Sequence, residues 1–299
     1  MVALEPLSFI QLLIAGALTG TLYAPLALGF NIIYKSSRVV NFAQGEFLLL
    51  GAYVAYTFAV LIIPNLFIGL SLALVIAASI GPLIERAVLR PLLAKPVFAM
   101  ILVTIGLGII LQGLTQLIWG VTPLPAPITF PAEPFRLGPL TLPSVAVYGS
   151  LVSTILVTVL IIFYQKTKLG LAMRAAGEDQ ALAMSMGVNV KTVIATAWTI
   201  SAISSTVAGV LLSGIFGFVS YYLLFIALRV YVAAIVGGLD SVGGAVLGSI
   251  LIGIGESIGG LVEPFIGPGF RDAFPLIIAL VVMMFKPNGL LGTERIERI

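Results

Sequence analysis

From Pro6 to Tyr34 the chain carries no charged side chain, and from Phe47 to Ile84 it again carries none. Either run exceeds the roughly 20 residues that an α-helix needs to cross ~30 Å of hydrocarbon at ~1.5 Å per residue. Inside lipid every backbone donor and acceptor must be satisfied within the protein, so such runs fold as helices. With 60% hydrophobic and 9% charged residues among 299, and a mean hydropathy of +1.19, the rest of the chain is written in the same way. No polar stretch reaches the ~50 residues of a separate soluble domain. The fold class is therefore all-α: a polytopic membrane protein with one membrane domain over residues 1–299.

Breaks between spans follow from proline, glycine and charge. Gly20 and Pro25 predict a kink within the first run, and Pro64 with Asn65 predict a tight turn that divides the second into two spans. Val97 to Trp119 spans next and ends on an aromatic ring suited to the membrane interface. Between 121 and 143 prolines recur too often for a membrane helix, which predicts an extended loop. Ser144 to Tyr164 spans again. The uncharged run from Thr192 to Leu228 is too long for one helix, and the Gly214, Gly217, Ser220, Tyr221, Tyr222 cluster is where it should break. A short piece from Arg229 to Leu239 follows, then Glu256 inside an apolar run, and Ala273 to Phe285 as a last, short span.

Placing Lys35 in the cytoplasm and crossing once per span puts Lys35, Arg38, Arg86, Arg90, Lys95, Lys166, Lys168, Arg174, Lys191, Lys286, Arg295 and Arg298 on one face. The positive-inside rule is then satisfied, with Arg136, Arg229 and Arg271 as exceptions. The expected topology has about nine crossings, within a range of about eight to ten because some segments are broken or re-entrant. Its N-terminus lies outside and its C-terminus in the cytoplasm. The start, MVALEP, has no basic n-region, so the first run is read as a retained span rather than a cleaved signal.

The absence of cysteine and histidine excludes thiol nucleophiles, disulfides, imidazole acid–base chemistry and the usual zinc sites. No GxxxxGK[ST] phosphate loop is present, so ATP-driven work would need a separate subunit. These absences leave no nucleophile–base pair for a membrane enzyme and point to transport.

Three polar stretches are candidates for that work. In NFAQGEFLLLGAYVAY, Asn41, Gln44, Gly45 and Glu46 precede Gly51 at the threshold of a helix. Glu46 is either a cap favoured by the helix dipole or, if the helix begins within the bilayer, a pathway residue that must be paired or face water. In GGLDSVGGAVLGS, the residues Gly237, Gly238, Asp240, Gly243 and Gly244 suit either close helix packing or a loop-into-helix break lining a cavity. Glu256 beyond them has two readings, a pathway residue or the ion-pair partner of Arg229 or Arg271. The two glycine–acid stretches occupy loosely corresponding places in the two halves of the chain, as in transporters with a midplane site.

The third stretch, Arg174 to Thr192, is a polar island of RAAGEDQALAMSMGVNVKT. Glu178 and Asp179 open a helix-like run through Ala181, Leu182, Met184 and Met186, closed by Gly187 or Asn189. It reads either as an amphipathic loop on the membrane or as a short helix offered to a groove on another protein.

The order and spacing of several stretches resemble the branched-chain amino acid ABC transporter permeases of the LivH type. They are LYAPLALGFNIIYKSSRVVNFAQGEFLLLGAYVA from Leu22, ERAVLRPL from Glu85, KLGLAMRAAGEDQALAMSMGVNV from Lys168, VAGVLL from Val207, VAAIVGGLDSVGGAVLGSILIGIGES from Val232 and KPNGLLG from Lys286. The resemblance runs through nearly the whole chain. It implies a permease subunit in a prokaryotic cytoplasmic membrane, paired with a second, LivM-type permease and served by two cytoplasmic ATPase subunits that hold ATP and magnesium. An extracytoplasmic binding protein would deliver the substrate, and this chain itself would need no cofactor. Residues 166–191 become the coupling loop. Two departures stand out: no Leu-Pro follows Gly187, and Gln44 stands where relatives often carry histidine. Related permeases serve urea, amides or other small polar solutes. Without the resemblance, a self-contained secondary transporter or channel using Glu46, Asp240 or Glu256 is the competing class.

Overall fold

The computed structural model describes residues 6–92 and 96–293, so Lys95, Arg295 and Arg298 lie outside the described residues. Seven helices are long and apolar enough to cross a membrane: α1 (Pro6–Ser37), α2 (Gln44–Ile62), α3 (Leu66–Leu92), α4 (Val97–Trp119), α5 (Ser144–Lys166), α8 (Val190–Phe216) and α10 (Val242–Ile266). Two shorter helices, α6 (Lys168–Glu178) and α7 (Gln180–Ser185), fill the polar island between α5 and α8. The helices α9 (Tyr222–Gly237) and α11 (Phe270–Phe285) have 16 residues each. At ~1.5 Å per residue they reach about 24 Å. Both run antiparallel to α10, since Gly237 abuts Gly244 and Gly259 abuts Phe274. Among the described residues there are thus seven candidate spans and one shorter apolar helix, α9, with α11 packed beside it on α10.

Each break has a local cause. The Asn65 side chain accepts from the Phe67 and Ile68 amides and so starts α3. Gly217, at φ 76, ends α8 in the left-handed region where a side chain would be strained. The proline-rich loop is extended, as its composition requires. Its Leu124–Pro125 strand (β1) pairs with Phe218–Val219 (β4), and Phe135–Leu137 (β2) pairs with Leu140–Leu142 (β3). Trp119 at the end of α4 stacks on Tyr53 with centroids 5.2 Å apart and donates to the Thr57 hydroxyl at 2.7 Å.

Pro25 does not end α1, which stays helical on both sides of it. The ring removes the amide that would have bonded the Thr21 carbonyl, and the Ser153 hydroxyl of α5 donates to that carbonyl instead. Helices α1 and α8 form the centre, with Tyr23 and Trp198 buried among the core clusters. Between α1 and α10 the backbones approach so closely that a methyl on Gly253 would meet the Gly20 backbone and a methyl on Gly20 would meet that of Ser249 and Ile250. Such small-residue contacts are how helices gain dispersion energy in lipid, where no hydrophobic effect drives them together.

Candidate functional site

Helix α2 begins well inside the bilayer. The Gln44 amide donates to the Leu26 carbonyl of α1 at 3.4 Å and to the Ser205 hydroxyl of α8 at 2.8 Å, and its oxygen accepts from Ser201 at 2.6 Å and from Asn41 at 3.0 Å. Leu26 stands 11 residues before the end of α1 at Ser37, and Ser201 stands 11 residues after the start of α8 at Val190. At ~1.5 Å per residue both positions lie about 16 Å in from the helix ends that carry the basic residues. Residues 38–43 therefore turn back into the membrane as non-helical chain. Such backbone is tolerated only when its groups find partners in protein or water, and both groups of Phe42 do: its amide donates to Thr104 at 3.3 Å, and its carbonyl accepts from the Tyr231 hydroxyl at 2.9 Å.

The members of the first candidate stretch thus part company. Asn41 and Gln44 are fully buried and saturated, joining α1, α2 and α8. Gly45 lets Ala227 of α9 approach, and Gly51 lets Thr206 of α8 approach. Glu46 alone turns outward, partly exposed, with its carboxylate toward Gly108 of α4. Among the described residues no cation lies within ion-pair distance of it. Replacing Gln44 by leucine keeps the volume but strands Ser201, Asn41 and the Leu26 carbonyl. It should cost about 1–3 kcal/mol, read as a lower melting temperature of the purified chain in detergent; an unchanged melting temperature would remove Gln44 from the packing account.

The second stretch is a tight hairpin. Gly237 and Gly244 pack backbone to backbone at the α9–α10 turn, and Gly238, at φ 108, offers its carbonyl to the Asn31 amide of α1 at 2.9 Å. The segment after α11 docks on it, with the Leu290 and Leu291 amides donating to Val236 and Gly237 carbonyls at 2.8 and 3.0 Å. Gly243 has only the Leu291 side chain nearby. Asp240 accepts from the Thr293 amide and hydroxyl and lines a cavity of about 250 Å³ together with Tyr34, Arg38 and Asn288.

Glu256 is paired. Its carboxylate takes Arg229 Nη1 at 2.7 Å, Arg271 Nη2 at 3.2 Å and the Tyr23 hydroxyl at 2.6 Å, while Arg229 Nη2 also meets Asp272 at 2.5 Å. Four helices, α1, α9, α10 and α11, are tied through one buried charge cluster. Tyr23 and Leu26 stand one turn apart on α1, and Arg229 and Tyr231 two residues apart on α9, so this cluster neighbours the Gln44 cluster, yet among the described residues no hydrogen bond or ion pair joins Glu256 to Glu46.

The third stretch folds as a projecting arm. Glu178 closes α6 rather than opening the next helix, and Asp179, in an extended conformation, caps α7 by accepting from the Leu182 amide at 2.9 Å. Gly187, at φ 85, closes α7, and Asn189 caps α8. Arg174 folds inward, donating to the Tyr164 carbonyl and lying over its ring. Ala181 is exposed, as are Leu182, Met184 and Met186, at 63%, 55% and 79%. The arm is bolted to α1: Arg38 Nε donates to the Gly177 carbonyl at 2.7 Å, and its guanidinium lies 3.7 Å from Glu178.

Arg38 itself carries no sequence signal for this role. It is the non-glycine residue with positive φ, at 58, among the described residues, and it begins the turn back into the membrane. Ser201 and Ser205 were legible only as an i, i+4 pair of hydroxyls on one face of an uncharged helix.

A family model described as "Branched-chain amino acid transport system / permease component" matches residues 12–285. The chain belongs to this family. It is 29% identical to the high-affinity branched-chain amino acid transport permease LivH of Escherichia coli K12 over 98% of both chains. To the probable branched-chain amino acid transport permease LivH of Methanocaldococcus jannaschii it is 30% identical, over 95% of this chain and 93% of the other. It also aligns with LivM of Escherichia coli K12 at 29% identity, over 92% of this chain and 68% of LivM. The chain is thus a multi-pass transport permease, similar to both permeases of one system.

Proposed function

We propose that this chain is the LivH-like permease subunit of an ATP-driven importer of branched-chain amino acids in a prokaryotic cytoplasmic membrane. Its 1–299 permease domain would pair with a LivM-like permease, receive substrate from an extracytoplasmic binding protein and rest on two cytoplasmic ATPases, which hold the nucleotide and magnesium. The N-terminus lies outside and the C-terminus inside. The observation that carries this reading is the α6–α7 arm. It stands on the side of the basic residues, between the spans α5 and α8, and exposes Leu182, Met184 and Met186.

In this reading residues 166–191 take the push of the ATPases. Gly177 sits against the Lys35 carbonyl, and Arg38 clamps the arm to the turn at the end of α1. Six residues later that same turn becomes the start of α2 at Gln44. A movement of the arm therefore has a short, stiff route to the middle of the membrane. Of the candidate passage residues, Glu46 and Asp240 have faces a solute could touch; Asn41, Gln44, Gly45, Gly51, Gly237, Gly238 and Gly244 hold the walls, and Gly243 is nearly free of contacts. Glu256 acts as structure, held by Arg229 and Arg271.

The test is reconstitution of the purified chain, alone and with the second permease, both ATPases and binding protein, in liposomes. Uptake of labelled leucine that requires ATP and all partners is the expected result. Gradient-driven flux through the chain alone would replace this reading with a secondary transporter, and ATP-driven uptake of urea without leucine would move the substrate class.

A further inference from the structure

Glu46 is a carboxylate held at the depth of the hydrocarbon, and among the described residues no side chain donates to it or pairs with it. The two polar side chains nearest the start of α2 have spent their protons. Tyr231 donates its hydroxyl proton to the Phe42 carbonyl and accepts from the Gly45 amide. The Thr104 hydroxyl, facing the Val40 and Ile101 carbonyls, accepts from the Phe42 amide. Glu46 nevertheless lies in the first turn of α2, where the helix dipole favours a negative charge. An ionisable group so placed needs a partner from outside this chain.

The walls around it define what that partner is. Opposite the carboxylate is Gly108, whose missing side chain leaves the room: a methyl there would stand 3.2 Å from Glu46. Phe42, in the turn before α2, and Ile105, three residues before Gly108 on α4, are exposed apolar side chains at 43% and 41%, and the Phe42 ring lies 6.4 Å from that of Tyr231. Where this chain needs a fixed ion pair in lipid it builds a closed one, as Arg229 does with Glu256. At Glu46 the carboxylate is left partly exposed and unpaired instead.

We propose that Glu46 is the contact for the ammonium group of the transported zwitterion, with Phe42, Ile105 and Tyr231 beside its apolar side chain. The site takes a primary ammonium carried on a small aliphatic body. This rests on the importer reading above and adds to it a residue that reads the charge of the cargo.

The test uses the full complex in liposomes, with leucine-loaded binding protein as the probe. Glu46→Gln keeps shape and loses charge; leucine uptake should fall about tenfold or more, the scale of a charge-assisted contact. Glu46→Asp should stay within about threefold of the wild type by the same reckoning. Stimulation of ATP hydrolysis by loaded binding protein and co-purification of the second permease should both survive in Glu46→Gln. Unchanged uptake by Glu46→Gln overturns the proposal. So does loss of the second permease from the complex, which would make Glu46 one half of an ion pair across the interface, or loss of stimulated hydrolysis, which would make it a coupling residue. If the wild-type complex itself moves no leucine, the importer reading fails rather than this one.

Discussion

Arg229→Ala is expected to leave a chain that inserts but does not hold its outer helices together, with a loss of about 3–5 kcal/mol. Folded proteins typically hold only ~5–15 kcal/mol in total. The guanidinium is 7% exposed and bridges two carboxylates on two other helices, Glu256 on α10 and Asp272 on α11. Removing it leaves Glu256, itself 5% exposed, with only the Tyr23 hydroxyl and Arg271, whose side chain is 56% exposed. The larger part of the loss is then an uncompensated buried charge; the Asp272 contact, half in solvent, contributes little. Lysine is expected to rescue poorly, because one ammonium cannot reproduce a planar fork aimed at two carboxylates. The informative control is Arg229→Met combined with Glu256→Leu, which removes both charges at similar volume and should recover most of the stability. Melting in detergent, followed by size-exclusion chromatography, separates the three variants. If Arg229→Ala melts with the wild type, the cluster is ornamental. If the double variant is as weak as the single, the energy lies in the geometry of the pair and not in the stranded charge.

That cluster was half legible in the sequence. Arg229 and Arg271 were two of the three basic residues, with Arg136, that no cytoplasmic group could absorb, and Glu256 was the isolated acid inside an apolar run. Mutual neutralisation follows from the cost of any of them alone in lipid. Tyr23 and Asp272 as the other two members were not legible, since a tyrosine in a membrane helix has many possible partners and an acid at a helix start can face water. The spans, the Asn65 and Gly217 breaks and the extended proline loop all follow from rules that act within a few residues, and the chain obeys them. What could not be read was depth. Whether Glu46 caps a helix at the surface or opens one in the middle depends on where Gln44 meets Leu26, Ser201 and Ser205. Those serines announce nothing, because each can satisfy itself on its own helix, as the Ser205 hydroxyl does on the Ser201 carbonyl at 2.7 Å. The left-handed turn at Arg38 is likewise a tertiary result: the clamp on Gly177 holds a conformation that an arginine would not choose.

The arm carries the other large effect. On the importer reading proposed above, Leu182→Glu together with Met186→Glu should leave the chain in the membrane, folded and paired with the second permease, and detach the proposed ATPases. Both side chains are exposed, at 63% and 79%, so their loss removes no internal packing. The helix they ride on is secured independently, by the Asp179 cap at one end and by the Met186, Gly187 and Val188 amides bonding back to Leu182, Met184 and Ala183 carbonyls at the other. A short helix docked in a groove concentrates its affinity in a few apolar anchors, each contributing about 2 kcal/mol or more when central. Two such anchors replaced by carboxylates amount to roughly 4 kcal/mol, near a thousandfold in dissociation constant. The ATPases should then fail to co-purify at micromolar concentration, and hydrolysis should no longer respond to loaded binding protein. Asp179→Ala is the graded companion: losing the cap costs about 1 kcal/mol of a short helix, so coupling should weaken without vanishing. The contrast with Glu46→Gln is what makes the pair of experiments decisive, since that variant is expected to keep stimulated hydrolysis while losing uptake, and the arm variant to lose both. ATPases that remain bound to the doubly charged arm would place the docking surface elsewhere on the cytoplasmic face, and the clamp between Arg38 and Gly177 would then be a packing contact with no part in transmission.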